Sequence, residues 1–306
     1  MNDHEACIIL NLLIGLGGLS AWKKNRGLYI NKLIDAIGNA SSVFELDAAT
    51  LCRAEGIRAE HADLICRWRE FVDLDRELKT AEDEGVTILC RSDTGYPSSL
   101  RKLANPPLCL YVRGRLPSGI AGRSVAIVGT RTPSDSGVRM ARRFSEAASR
   151  DGWSHGWITV SGLALGIDTA AHLASVEAGG RTVAVLGSGM NKLYPPENLE
   201  LARAIVRTGG AVVSEYPMNT QTTRSTLARR NRIIAGLARC TLVIEAGAKS
   251  GALITATTAQ ELGCRVFAVP GDEGNPLAAG CNKLIRQGAT PVTQFESIFA
   301  EIMIKA

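Results

Sequence analysis

The chain has 306 residues, a formal net charge of +5, 45% apolar residues and 21% charged ones. That length suits one large domain plus one small domain, and the composition is that of an ordinary globular protein, not a fibrous or disordered one. The mild positive charge permits a nucleic-acid partner without arguing for one by itself.

Eight cysteines are scattered at positions 7, 52, 66, 90, 109, 240, 264 and 281. None forms a C-x-x-C pair and no Cys/His cluster has zinc spacing, so neither a disulfide framework nor a metal or other cofactor is expected. Such thiols read as small buried hydrophobes in a reducing, cytoplasmic setting. The apolar stretch from Ala6 to Leu19 follows acidic residues and precedes Lys23-Lys24. A signal peptide has its positive charge first, and a membrane span needs roughly 20 apolar residues. A core helix is expected there, and no membrane partner.

Residues 1–80 are expected to form a small all-helical domain. An apolar-periodic stretch through Ile8, Leu12 and Ile14 is broken by Gly15-Leu16-Gly17-Gly18. Short helices are predicted for Leu28–Ile37 and Leu46–Ala54. A longer one is predicted for Ala59–Glu82, where Ala62, Ile65, Trp68, Phe71, Val72 and Leu78 recur near helical spacing. The glycine turn hints at sterile-alpha-motif or helix-hairpin-helix packing, although glycine at a helix end is ordinarily a C-cap.

Residues 81–306 read as a second domain with a different pattern. Val86–Cys90 and Leu108–Val112 have strand character, with a capped helix start at Tyr96–Leu100. Apolar runs at Val125–Val128, Trp157–Val160, Val183–Leu186, Gly210–Ser214, Leu242–Ile244 and Arg265–Val269 then alternate with predicted helices. The helices are Ser134–Arg150, Gly166–Ala178, Glu197–Arg207, Thr226–Ala238 and Gly251–Leu262, and Gln294–Ile304 closes the chain. Strands alternating with long helices mean parallel βαβ units, hence an α/β fold with a mostly parallel, doubly wound sheet. Such sheets bind ligands beyond the carboxyl ends of their strands, where helix N-termini offer unpaired N–H groups to anions.

Common catalytic and nucleotide motifs fail. There is no Gly-Lys pair for a Walker loop, and Gly187-Ser188-Gly189 lacks the third glycine of a dinucleotide fingerprint. Gly152-Trp153-Ser154-His155-Gly156 matches a nucleophile elbow in letters, but a helix precedes it and a strand follows, the reverse of what that turn requires. Asp168 and His172 share a helix face, as an acid/base or metal pair or as a helix cap with a hydrogen-bonded His, with no third ligand nearby in sequence. Glu215 and Glu245 each end an apolar run, as ligand-edge carboxylates or as partners of loop amides and arginines.

The strongest constellation is Arg229-Arg230-Asn231-Arg232-Ile233-Ile234. No acidic residue occurs between Glu215 and Glu245, whereas Arg224, Arg229, Arg230, Arg232 and Arg239 do. Its helix begins after a strand and loop, on the ligand side of the sheet, which favours anion binding over a merely solvated basic face.

Together these segments resemble the DNA-processing protein A (DprA/Smf) family. The resemblance rests on Val125–Arg131, on Val160–Asp168 with Ala171-His172, and on Leu186–Gly189 with Tyr194-Pro195. It continues through Ser214–Pro217, Arg230–Ile234, Ser250–Ala256, Phe267–Gly271 and Gly280–Ile285. It spans roughly Gly85 to Thr290, with the motifs in order. It implies an extended Rossmann-like fold behind a small helical domain. It also implies a non-catalytic, homodimeric protein that binds single-stranded DNA, protects it and loads the RecA recombinase in natural transformation. The DNA pocket it implies is lined by Gly129, Thr130, Arg131, Arg229, Arg230 and Arg232, with neighbouring amides from Ser161, Gly162, Lys249, Ser250 and Gly251.

Two departures from the family pattern stand out. Members often carry Phe-Pro where this chain has Leu227-Ala228, removing a stacking aromatic. Many also continue into a winged helix where this sequence stops at Ala306, so a role needing that domain is expected to be absent or supplied elsewhere. The competing reading is a nucleotide N-glycosidase-like hydrolase using Glu215, Glu245 or Asp168, although the Pro-Gly-Gly-x-Gly-Thr loop of that chemistry is missing. A third is a nucleotide-sensing module.

Overall fold

The computed structural model describes residues 1–16, 28–150 and 156–303. The second half of the glycine break, Lys23-Lys24, and all but the last residue of the Gly152–Gly156 match lie outside the described residues. The chain divides into two compact units. One comprises Met1–Val112, Ser188–Lys192 and Ser214–Gln221; the other comprises Arg113–Gly187, Leu193–Val213 and Thr222–Ala306.

In the first unit the helices are α1 (Asp3–Gly15), α2 (Leu28–Ile37), α3 (Ala48–Leu51), α4 (Ala59–Cys66) and α5 (Leu74–Asp83). They are followed by strand β1 (Val86–Cys90) and the first part of β2 (Cys109–Gly114). Asn2 starts α1 with a reciprocal cap: its side chain accepts from Glu5 N, and Glu5 returns a bond to Asn2 N. Ala6 through Leu10 and Leu13 are all within 3% of full burial, so α1 is enclosed on nearly every side instead of presenting one apolar stripe. The single helix expected over Ala59–Glu82 is in fact two. The backbone leaves the helical region at Arg67, a short 3-10 turn follows, and Asp73 restarts the helix by accepting from Arg76 N at 3.0 Å. Tyr96–Leu100 is a turn leading into a 3-10 segment, Leu100–Lys102, and not a helix.

The second unit is the Rossmann-like α/β body. Its strands are β3 (Ser124–Val128), β4 (Ile158–Ser161), β5 (Thr182–Leu186), β6 (Ala211–Ser214), β7 (Cys240–Val243), β8 (Arg265–Ala268) and β9 (Thr290–Pro291). Its helices are α6 (Asp135–Arg150), α7 (Ile167–Glu177), α8 (Leu199–Arg207), α9 (Arg224–Leu237), α10 (Ala252–Glu261), α11 (Ala279–Arg286) and α12 (Phe295–Met303). The strands lie in the order β6-β5-β4-β3-β7-β8-β9. β3 pairs in parallel with β4 and β7, β4 with β5, β7 with β8, and β8 with β9. Residues of β3, β4, β5 and β7 are buried throughout, as strands covered by helices on both faces require. The core joins β3 and β7 to Phe144 of α6, Ile167 of α7 and the last helix. Trp157 meets Phe295 edge-on, ring centroids 5.7 Å apart.

From β3 the chain winds outward through β4, β5 and β6, then returns to lay β7 against the other side of β3. The winding direction therefore reverses between β3 and β7, which is where an open α/β sheet leaves a crevice beyond its strand ends.

Candidate nucleic-acid interface

A cleft of about 530 Å³ opens at that point. Its walls come from the turn after β3, the turn after β7 and the face of α9. They include Gly129, Thr130, Arg131, Arg224, Leu227, Arg230, Asn231, Lys249, Ser250 and Gly251.

The turn after β3 is held from two sides. Thr130 N donates to the carbonyl of Glu245 at 2.7 Å, and Ile167 N donates to the carbonyl of Thr130 at 3.2 Å. A Cβ on Gly129 would lie 2.6 Å from Ile167 Cγ1, so only glycine lets the turn sit against α7. Arg131 then projects outward. It is exposed and, among the described residues, makes no ion pair.

The turn after β7 begins with Glu245, whose carboxylate accepts from Ser134 N at 3.0 Å and Ser134 Oγ at 2.5 Å. It thereby fixes the N-terminus of α6, where Gly137 leaves room for it. Further along, Ser250 N donates to the carbonyl of Gly247 at 3.0 Å, and Lys249 is exposed at the apex.

Helix α9 supplies the third wall. Thr223 and Thr226 cap each other reciprocally, which starts the helix at Arg224 and brings that exposed side chain to the cleft. Arg230, only 4% exposed, lies beneath. Its Nη1 donates to the carbonyls of Gly162 and Val185, and its Nε donates to Asn231 Oδ1 at 3.1 Å. Asn231 in turn donates from Nδ2 to the carbonyl of Gly251 at 3.0 Å. One arginine thus ties α9 to the ends of β4 and β5, and the asparagine beside it ties α9 to the turn after β7.

The buried Asp168 carboxylate accepts from Gly162 N at 3.0 Å and Ala164 N at 3.4 Å. Burial drives its pKa up, against the pull of the Arg230 charge and these amides. His172, one turn on, is fully buried. Because Thr182 Oγ1 donates to the carbonyl of Thr159 at 2.7 Å, His172 Nδ1 is the donor in its 2.7 Å bond to Thr182 Oγ1. Burial first, and the Arg230 charge second, push its pKa down to about 3, so the ring is neutral. Asp168 thus braces the loop after β4, and His172 is tied to β5. Glu215 belongs to the other unit, where its carbonyl accepts from Asn11 Nδ2 at 3.2 Å.

Of the residues named from sequence, the cleft brings together Gly129, Thr130, Arg131, Arg230, Lys249, Ser250 and Gly251. Gly162 faces a smaller adjoining notch with Arg131, Leu165, Tyr194 and Leu227. Its amide, expected to face a ligand, is engaged by Asp168 instead. Ser161 is fully buried and its hydroxyl donates to the carbonyl of Ile127 at 2.6 Å. Arg229 and Arg232 are half-buried and are not among the cleft residues; Arg232 Nη1 donates to the carbonyl of Arg229 at 3.2 Å. Sequence reasoning missed Arg224 and Asn231 as members of the site. The Thr223-x-x-Thr226 cap was the available signal for the first, and Asn231 had none beyond its place between two arginines.

A mostly parallel α/β sheet whose order reverses at a cleft lined by exposed cations defines a protein of the Rossmann-like class. Residues 87–303 match the family of DNA recombination-mediator protein A, and the chain belongs to that family. It is 39% identical to the DNA processing protein DprA of Bacillus subtilis over 232 residues, 76% of each chain. It is 35% identical to Protein Smf of Synechocystis over 290 residues, covering 92% of this chain and 71% of that one. Among solved structures, the X-ray structure of DNA processing protein A from Streptococcus pneumoniae aligns with a TM-score of 0.77 at 30% identity, covering 98% of both chains. DNA processing protein A from Helicobacter pylori, whose structure concerns its single-stranded DNA binding mode, aligns with a TM-score of 0.62 at 23% identity. That match covers 72% of this chain and 96% of the other.

Proposed function

We propose that the chain binds single-stranded DNA without catalysis, with phosphates held in the cleft between β3 and β7. The observation that carries this reading is the convergence of Arg131, Arg224 and Lys249, three exposed cations without ion-pair partners among the described residues. Asp168, the one carboxylate among the described residues that line the cleft, is already occupied by amides. Phosphate contacts position a strand without reading its bases, so sequence preference is weak. Arg230 shapes the wall and contributes charge from beneath instead of gripping the strand directly. In keeping with the family, the protein acts as a cytoplasmic homodimer that passes its DNA to RecA during recombination of incoming strands.

The test is fluorescence anisotropy with single-stranded and duplex oligonucleotides across a salt series. With about three to five phosphates neutralised, the slope of log affinity against log salt is about −2 to −4. A slope near zero, or preference for duplex, removes the assignment. Light scattering reads the dimer, and RecA filament assembly on coated strands, with and without the protein, reads the loading role.

A further inference from the structure

Two pairs of ligand-type side chains meet in the unit built mainly from residues 1–112. His4 and Cys7 stand about one turn apart on α1, while Cys90 ends β1 and Asp93 lies in the turn that follows. His4 Nδ1 is 3.1 Å from Asp93 Oδ2, and the ligand atoms of His4, Cys90 and Asp93 all lie within 4.8 Å of one another. The buried Cys90 Sγ donates to the carbonyl of His4 at 3.4 Å. Cys109, at the start of β2, places its Sγ 3.7 Å from Cys90 Sγ. The sulfurs are buried, whereas the side chains of His4 and Asp93 are 40% and 28% exposed. An ion can therefore arrive from solvent and meet sulfur on its inner side.

We propose that His4, Cys90 and Asp93 bind a divalent cation of borderline softness, which the donor set identifies as zinc. A thiolate, an imidazole nitrogen and a carboxylate suit a zinc centre whose fourth position is left open, and Cys90 and Asp93 carry the two-residue gap common in such sites. The spacing is invisible in the sequence because 86 residues separate His4 from Cys90. Without metal, the Cys90 thiol stays protonated: contact with Cys109, then burial, raises it far above its ordinary value. On binding, the Cys90 proton leaves to solvent, His4 presents its Nδ1 lone pair, and Asp93 supplies a carboxylate oxygen. The Asp93 carboxylate is already oriented by the Cys90 N–H, 2.9 Å from Oδ2. Cys109 keeps its proton and donates to the Cys90 thiolate, an outer partner of the kind that steadies metal ligands. The ion links α1 to β1, so its binding free energy adds to the stability of this unit.

The test uses the full chain, reduced and stripped with a chelator, then titrated with zinc against a chromophoric chelator and separately with cobalt. The expected result is one metal per chain, a thiolate-to-cobalt charge-transfer band with a tetrahedral ligand-field pattern, and a higher Tm with zinc. Replacing buried Cys90 endangers the fold, so the exposed ligands are varied: His4→Gln and Asp93→Asn each weaken zinc by about tenfold or more, with unchanged circular dichroism of the metal-free protein. No competition with the chelator at micromolar zinc, a cobalt spectrum without the thiolate band, or affinity indifferent to both substitutions would overturn the assignment. None of these readouts depends on oligonucleotide binding.

Discussion

Gly162 and Arg230 occupy one space: a Cβ at position 162 would overlap the guanidinium that donates to the Gly162 carbonyl. A side chain at 162 therefore displaces the guanidinium, and Arg230 stands under the cleft. Arg230→Ala leaves the Gly162 and Val185 carbonyls without this donor and removes the positive charge next to buried Asp168. The expected loss is about 2–4 kcal/mol of stability, read by urea denaturation, with Gly162→Ala destabilising in the same direction. An Arg230→Ala protein as stable as the parent would show that the arginine is no latch.

Arg131→Ala, Arg224→Ala and Lys249→Ala are expected to behave oppositely. Each side chain is exposed, so stability stays within about 0.5 kcal/mol. Each removes one phosphate contact, lowering oligonucleotide affinity and flattening the salt slope by about 0.7. Arg229→Ala and Arg232→Ala have smaller effects because those residues stand outside the cleft. Parallel anisotropy and thermal melts on all five variants separate the two groups.

Leu227 lines both the cleft and its side notch. Leu227→Phe supplies an aromatic face there, and stacking on one base adds about 1–3 kcal/mol to binding. Tighter binding with an unchanged salt slope is the expected anisotropy result; unchanged affinity would mean that no base reaches this position.

The buried neutral His172 makes the fold acid-sensitive. Its pKa falls from 6.5 to about 3 on folding, so the unfolded chain takes up a proton that the folded chain refuses. Its contribution is present above 6.5 and is lost progressively as pH falls through that window towards about 3. Denaturation midpoints measured down this range should drop less steeply for His172→Gln than for the parent. Parallel curves would assign the acid sensitivity to other groups.

Glu245 is held by Ser134 and caps α6, so it is not poised to activate water. The parent is expected to release no base from nucleoside monophosphates in a chromatographic assay. Glu245→Ala is expected to cost about 1–2 kcal/mol through the lost cap. Base release by the parent, abolished by Glu245→Ala at unchanged stability, would restore the hydrolase reading.

The alternation of β-branched runs with long helices made the α/β body legible in sequence, and β3 to β8 fall where periodicity places them. Shorter signals were less informative. β9 is two residues ending in Pro291, held as a strand only by pairing with β8, and nothing local marks it. The break between α4 and α5 was hidden because Trp68, Phe71 and Val72 keep apolar spacing across it, while the Asp73 cap is a single polar residue in a charged stretch. At the site, the two glycine turns and their cations were visible as motifs. The burial of Arg230 was not, because its acceptors, Gly162 and Val185, come from strands far away in the chain. Composition counts an arginine as charge; only packing reveals it as a strut.

The return of β7 to the flank of β3 has a consequence for how this molecule can diversify. Its crevice comes from the itinerary of the chain, not from hollowing out packed side chains, so it exists before any lining residue is chosen. The two turns that face each other across it open separate crossovers heading to opposite margins of the sheet. Either turn can lengthen or change its chemistry while the strands beneath keep their register, leaving the ligand surface free to vary on an unchanging floor.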